Sequence, residues 1–217
     1  MDAETTSFLS EHASAIFAIA GAVAGGILSF VGSLILKNRD FRLRLWDQLA
    51  ERKIKAHENV IALAVEMRVM MMLGGDDENG ELRRSPQVLI SKPEFESWFT
   101  RFTQLSLQGT TWLSLDAKRE LNFVQDYLVT LHERLRPIPS DRYLDVGVHI
   151  KNDFIDLSSS LEKAAFRFFE TGVDKLALES LDKWHKYERS VTIERLEKTQ
   201  LRARWDLVNS YADLEAE

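Results

Sequence analysis

The sequence predicts an all-α protein: a single N-terminal transmembrane helix, continuing into a long cytoplasmic stalk helix, with an up-and-down helical bundle beyond it. Three observations carry this. Residues 13–36 contain no Asp, Glu, Lys or Arg. Apolar residues recur at alternating three- and four-residue spacings through most of the remainder, the signature of one helical face. No segment alternates with period two strongly enough to indicate a strand.

The uncharged run comes first. Its 24 residues would make a helix roughly 36 Å long, against a bilayer hydrocarbon core of about 30 Å, so it spans with some tilt. Two alternatives are a buried core helix of a soluble domain, which rarely runs this long without a charge, and a cleaved signal peptide, which needs a cationic start and a shorter apolar run. Here the tail, residues 1–12, is acidic, with Asp2, Glu4 and Glu11. Lys37, Arg39, Arg42 and Arg44 follow the span at once, and Arg52, Lys53 and Lys55 lie further on. Cations stay cytoplasmic, so the tail faces out and residues 37–217 face the cytoplasm of what reads as a bacterial inner-membrane protein. Within the span Ser14, Ala18, Gly21, Gly25, Ser29 and Gly32 share one side, with Gly21 and Gly25 as a GxxxG pair. Small residues let transmembrane backbones approach, so Gly21, Gly25, Ser29 and Gly32 are candidates for self-association into a homo-oligomer.

Residues 37–73 contain neither Pro nor Gly and read as the stalk. Its stripe is Leu45, Leu49, Ala56, Val60, Leu63, Met67 and Met70, with Arg52 as the one charged member. Gly74 and Gly75 are expected to end the helix, and residues 74–90 to form a loop. That loop, tested as a calcium site on Gly80, offers Asp77 and Asn79. It has Gly75 and Pro86 where the two strongest ligands belong, so a solvated loop is the better reading.

The bundle follows over 91–217. Ser91 with Glu94 forms a capping-box start, and Phe95, Trp98, Phe102 and Leu105 mark the face behind it. Ser114 and Asp116 open the next helix, with a stripe of Ala117, Leu121, Val124, Leu128, Leu131 and Leu135. The PIPS sequence over 137–140 stops it. Ser140 or Asp141 starts another, carrying Ile150, Phe154, Leu157, Leu161, Ala164 and Phe168, with Gly172 as its C-cap. A last long helix is expected from Val173, with one stripe of Ile193, Leu196, Ala203, Leu207 and Leu214 and a second of Leu201, Trp205 and Val208. If it breaks, the β-branched run Val191-Thr192-Ile193 is the expected place. Packing it along the stalk is the simplest way to cover both apolar faces.

Chemistry is sparse. Cysteine is absent, which removes disulfides, thiolate nucleophiles and Cys-bound zinc. No HExxH, phosphate-binding glycine motif or GxSxG occurs among the 217 residues. The five histidines are His12, His57, His132, His149 and His185. His149 with Asp153, His185 with Glu188 and His132 with Glu133 have metal-like spacing, but no third ligand is in view, so no metal or cofactor is expected. Residues 37–217 hold 28 cations against 31 acids, which argues against a nucleic-acid partner. The aromatic runs at 95–102 and 166–169 read as core rather than as a ligand groove. The functional expectation is a non-enzymatic module, anchored in the lipid bilayer, that presents a bundle to a cytoplasmic protein or a small ligand. The alternative is a membrane-perturbing or pore-forming effector that oligomerises through its span. A bundle-borne metal enzyme ranks third.

Overall fold

The computed structural model describes residues 3–76, 80, 82–171 and 185–213. It is mostly helical, with seven α-helices among the described residues, so the all-α class holds. Two compact units are present, Met1–Leu49 and Ala50–Glu217.

Helix α1 is Ala3–Arg68. Within the first unit it has no core. Every residue from 17 to 48 is exposed except the half-buried Gly32, although the segment is strongly apolar. An 18-residue window of this helix reaches a mean hydropathy of 2.1 with none of it buried, which is compatible with a single-pass membrane anchor.

The second unit has its own hydrophobic core. From residue 50 onward α1 supplies Ala56, Val60, Leu63, Ala64 and Met67, all buried. All of these but Ala64 belong to the stalk stripe. Leu45 is exposed and Leu49 half-buried, so the buried face belongs to the second unit alone.

The helix then ends earlier than the sequence suggests. Arg68 is its last residue, and Met70–Asp76 is a strand, β1, paired antiparallel with Leu82–Pro86, β2. This corrects the expectation of helix to Leu73 and loop over 74–90. The run Val69-Met70-Met71-Met72-Leu73 has no alternation to reveal it. Gly75 at φ 85° sits in the irregular register between Met72 and Asp76, and Gly80, at φ 75°, is a bend ahead of β2. Both backbones occupy the left-handed region that favours glycine. The Gln87 N–H donates to the Val69 carbonyl at 2.9 Å and extends the pairing. The candidate calcium ligands Asp77 and Asn79 lie outside the described residues.

Helices α2 (Lys92–Gly109), α3 (Leu115–Leu135) and α4 (Tyr143–Thr171) follow where the stripes place them. The Ser91 hydroxyl accepts from the Glu94 N–H and the Ser114 hydroxyl from the Ala117 N–H, each at 3.4 Å. All six predicted positions of the α3 stripe and all six of the α4 stripe are buried, so the three-four spacing marks the core face. The hairpin packs on α4 at Gly147. A Cβ there would lie 3.1 Å from Ser85 Cβ and 3.3 Å from Pro86 Cδ, so β2 and α4 meet at the distance a glycine allows.

The C-terminal tract departs most from expectation. Over its described part it is three short helices, α5 (Arg189–Glu197), α6 (Gln200–Ala203) and α7 (Trp205–Asp213), instead of one long one. Helix α5 runs straight through Val191-Thr192-Ile193. The break comes at Thr199, whose hydroxyl caps α6 by accepting from the Arg202 N–H at 3.3 Å. The buried face is the second stripe: Leu201 and Val208 are buried, whereas Ile193 and Leu207 are exposed. Polar links fasten this tract to α3 and α4, so the expected pairing along the stalk is replaced by seating on those two helices. Gly172, Val173 and Leu214 lie outside the described residues.

Candidate functional site

The first candidate is the apolar helix and its cationic end. Gly21 and Gly25 are exposed, Gly32 is half-buried, and a Cβ built at any of the three would meet nothing within 4 Å. Ser29 is exposed beside them. Their backbones are therefore open on the face that the GxxxG spacing selects. Lys37, Arg39, Arg42 and Arg44 are all exposed, and among the described residues none of them forms an ion pair. Phe41, Leu43, Leu45 and Trp46 stand between and just beyond them at 61%, 51%, 43% and 47% exposure.

The second candidate lies in the other unit. A cleft of about 310 Å³ is lined by Glu66, Val69, Gln87, Val88, Glu94, Ser97, Trp98 and Arg101. Glu66 organises it. One carboxylate oxygen accepts from Trp98 Nε1 at 3.1 Å, and Arg101 donates to both oxygens at 2.6 and 3.1 Å. The sequence flags Trp98 only as core, and it is indeed buried. The legible signal was its indole N–H, which needs an acceptor when buried. With a carboxylate, a guanidinium and an amide around an aromatic wall, the cleft can hold a small polar ligand.

Ser85 Oγ is buried without a hydrogen-bond partner among the described residues, whereas His57, Asp153, Tyr127 and Glu120, buried or half-buried, are engaged by the fold. His57, fully buried, donates from Nδ1 to the Lys53 carbonyl at 2.7 Å, because that oxygen can only accept. Its Nε2 therefore accepts the Ser114 N–H at 3.1 Å. The ring stacks on Phe168 at 3.9 Å. Burial depresses its pKa, the Lys53 carbonyl opposes that shift, and the nearby charges of Lys53 and Lys118 add to it.

Asp153 is buried on α4. Its carboxylate accepts from Gln200 N–H at 2.7 Å, Leu201 N–H at 2.8 Å and the Tyr127 hydroxyl at 2.9 Å. Burial raises its pKa, and those three hydrogen bonds only partly offset the effect. Tyr127 is pushed well above the usual phenol range by burial and by the Asp153 charge. Glu120 takes both guanidinium nitrogens of Arg195, at 3.0 and 2.9 Å, and the Tyr187 hydroxyl. Arg195 in turn lies 3.8 Å above the Phe123 ring.

The metal-like pairs are not brought together. His149 contacts Tyr211 and Arg204, at 3.1 and 2.9 Å, while Asp153 caps α6. The His132 ring lies against Phe95 and Phe99, and the His185 carbonyl accepts from Asn122. Among the described residues no group of three or more His, Cys, Asp and Glu could hold an ion. Phe95, Trp98, Phe102 and Phe168 are buried as core, and Phe166 is exposed.

Comparison with protein-family models, with curated proteins and with solved structures returned no match.

Proposed function

We propose that the chain is a non-enzymatic, single-pass membrane protein. It holds its N-terminus outside and presents the Ala50–Glu217 helical bundle at the cytoplasmic face of a bacterial inner membrane, for binding a protein partner or a small ligand. The observation that carries this is the exposed apolar stretch of α1 with four cations immediately after it that form no ion pair among the described residues. In water so large an apolar surface would drive aggregation, whereas in a bilayer it is matched to its solvent. The Glu66–Trp98–Arg101 cleft is the place where a small ligand would bind. The sequence carries no catalytic motif that would favour an enzyme.

Alkaline phosphatase fused after Glu217 tests the orientation, because that reporter is active only outside the cytoplasm. The proposal requires an inactive fusion that stays in the membrane fraction after alkaline carbonate. An active fusion reverses the topology, and release into the supernatant removes the anchor.

A second reading is favoured by the open backbone at Gly21, Gly25 and Gly32: self-association of the span, as a structural dimer or as a membrane-perturbing assembly. A branched side chain at Gly25 would separate two touching helices. Gly25→Ile should weaken association in a membrane two-hybrid assay at unchanged expression, and undiminished association would make the glycines incidental.

A further inference from the structure

We propose that residues 37–46 form a collar that binds anionic phospholipid headgroups, with Lys37, Arg39, Arg42 and Arg44 ringing the helix where it leaves the hydrocarbon. The inference rests on the membrane-anchor reading and adds a lipid class to it.

The disposition of the cations selects the occupant. At about 100° per residue, Lys37 and Arg44 fall on one side of the helix and Arg39 and Arg42 on the opposite side. A docked protein would touch one side only. A helix lying flat on a membrane would need its cations gathered on one face. A layer of headgroups around a crossing helix contacts every side, as this pattern requires. The apolar residues fit the same surroundings. Phe41, Leu43, Leu45 and Trp46 are exposed between and beyond the cations, and aromatic side chains favour the membrane interface. Lys37 and Arg44 are seven residues apart, about 10 Å of helix. The headgroup layer is about 5–7 Å deep, and long cationic side chains extend toward it along their apolar stems.

Charge sets the preference. Residues 37–44 carry four cations and one acid, Asp40. Residues 50–217 carry 24 cations against 29 acids, so attraction to an anionic surface is concentrated in the collar. The fold also marks where the collar stops. The next cations are committed to the second unit: Arg52 lies 5.3 Å over the Trp112 ring, and Lys53 is buried. A cation beside an anionic lipid surface favours it by about fivefold.

The test uses the full chain. It is first reconstituted in vesicles and washed with alkaline carbonate. It is then purified in neutral detergent, mixed with equimolar phosphatidylglycerol and phosphatidylcholine, and examined by native mass spectrometry for retained lipid. The parent should retain phosphatidylglycerol over phosphatidylcholine by at least about fivefold, with the preference falling as salt rises. Replacing all four collar residues, Lys37→Gln, Arg39→Gln, Arg42→Gln and Arg44→Gln, should bring the ratio close to parity. A matched set on the exposed surface of the second unit, Lys55→Gln, Arg84→Gln, Lys163→Gln and Arg189→Gln, should leave it unchanged. A carbonate-resistant parent with no lipid preference overturns the collar and leaves the anchor standing. So does a preference that survives the collar substitutions, or one that the control set abolishes equally. A parent stripped by carbonate overturns the anchor, and the collar with it.

Discussion

Gly147 and Ser85 form a pair whose energetics can be worked from distances. In Gly147→Ala the new Cβ would sit 1.9 Å from Ser85 Oγ, 3.1 Å from Ser85 Cβ and 3.3 Å from Pro86 Cδ. Alanine gains about 0.8–1 kcal/mol over glycine in a helix interior. Against this, overpacking a closed site costs about 1–3 kcal/mol. The hydroxyl can rotate, but Ser85 is fully buried, and the Cβ and Cδ contacts remain tight after it does. Gly147→Ala alone should therefore destabilise by about 1 kcal/mol. Ser85 Oγ is buried with no hydrogen-bond partner. Ser85→Ala removes an unpaired polar atom and should stabilise by about 0.5–1 kcal/mol. In the double variant the 1.9 Å clash no longer exists. The helix gain is kept while the Cβ and Cδ contacts remain, so the double variant should be about as stable as the parent. The single effects sum to about 0–0.5 kcal/mol of destabilisation, so the two couple by up to about 0.5 kcal/mol, worth roughly 1–2 °C in Tm at this chain length. Thermal unfolding of the full chain in detergent, followed by circular dichroism for all four proteins, measures the cycle. An unperturbed Gly147→Ala would show that β2 does not press on α4 as described.

Three further predictions follow from buried groups. His57 has its folded pKa below the ordinary 6.5, so the fold favours neutral imidazole. Its contribution is complete above that pH and is lost as pH falls below it, by at most about 1.4 kcal/mol per pH unit. His57→Gln should flatten this dependence between about pH 7.5 and 5.5 in melting experiments, and a parent equally stable at both ends refutes the assignment. Asp153→Asn keeps one acceptor oxygen for three donors and should cost about 1–3 kcal/mol, with faster amide exchange at Gln200 and Leu201. Exchange as slow as in the parent would mean that α6 is held by something else. Truncation after Ser190 removes Arg195 from Glu120, the Gln200 and Leu201 amides from Asp153, and Arg204 and Tyr211 from His149. Proteolysis should therefore open α3 and α4 while 56–67 stays protected, and cutting confined to the latter would restore the discarded pairing with the stalk.

Much of the helical frame was legible because one physical constraint wrote it. A helix that covers a core must place apolar residues three or four apart, and the α3 and α4 stripes do so at each position. The caps at Ser91 and Ser114 were legible because their chemistry is local. What stayed hidden depends on residues distant in sequence. Thr199 looks like any threonine until Asp153 on α4 comes within reach of the amides beside it. The Met70–Asp76 strand has no alternation of its own, and its partner β2 is pressed against α4. Glu66 and Arg101 are 35 positions apart, so no local pattern announces the cleft.

The distribution of satisfied and unsatisfied chemistry bears on function. In Ala50–Glu217 strongly polar groups, buried or half-buried, answer one another: His57 with Lys53 and Ser114, Asp153 with Tyr127 and two amides, Glu120 with Arg195 and Tyr187. Groups so engaged are poor nucleophiles, bases or metal ligands, because using them would first cost the hydrogen bonds that hold the fold. The open chemistry lies elsewhere. It is the cationic ring over 37–44, which has no protein partner among the described residues. On the proposed anchor reading, exposed cations at the end of the apolar helix and largely engaged polar groups in the second unit both favour binding at surfaces. A search for ligands should therefore begin with anionic lipid at the collar and with small polar molecules at Glu66, Trp98 and Arg101.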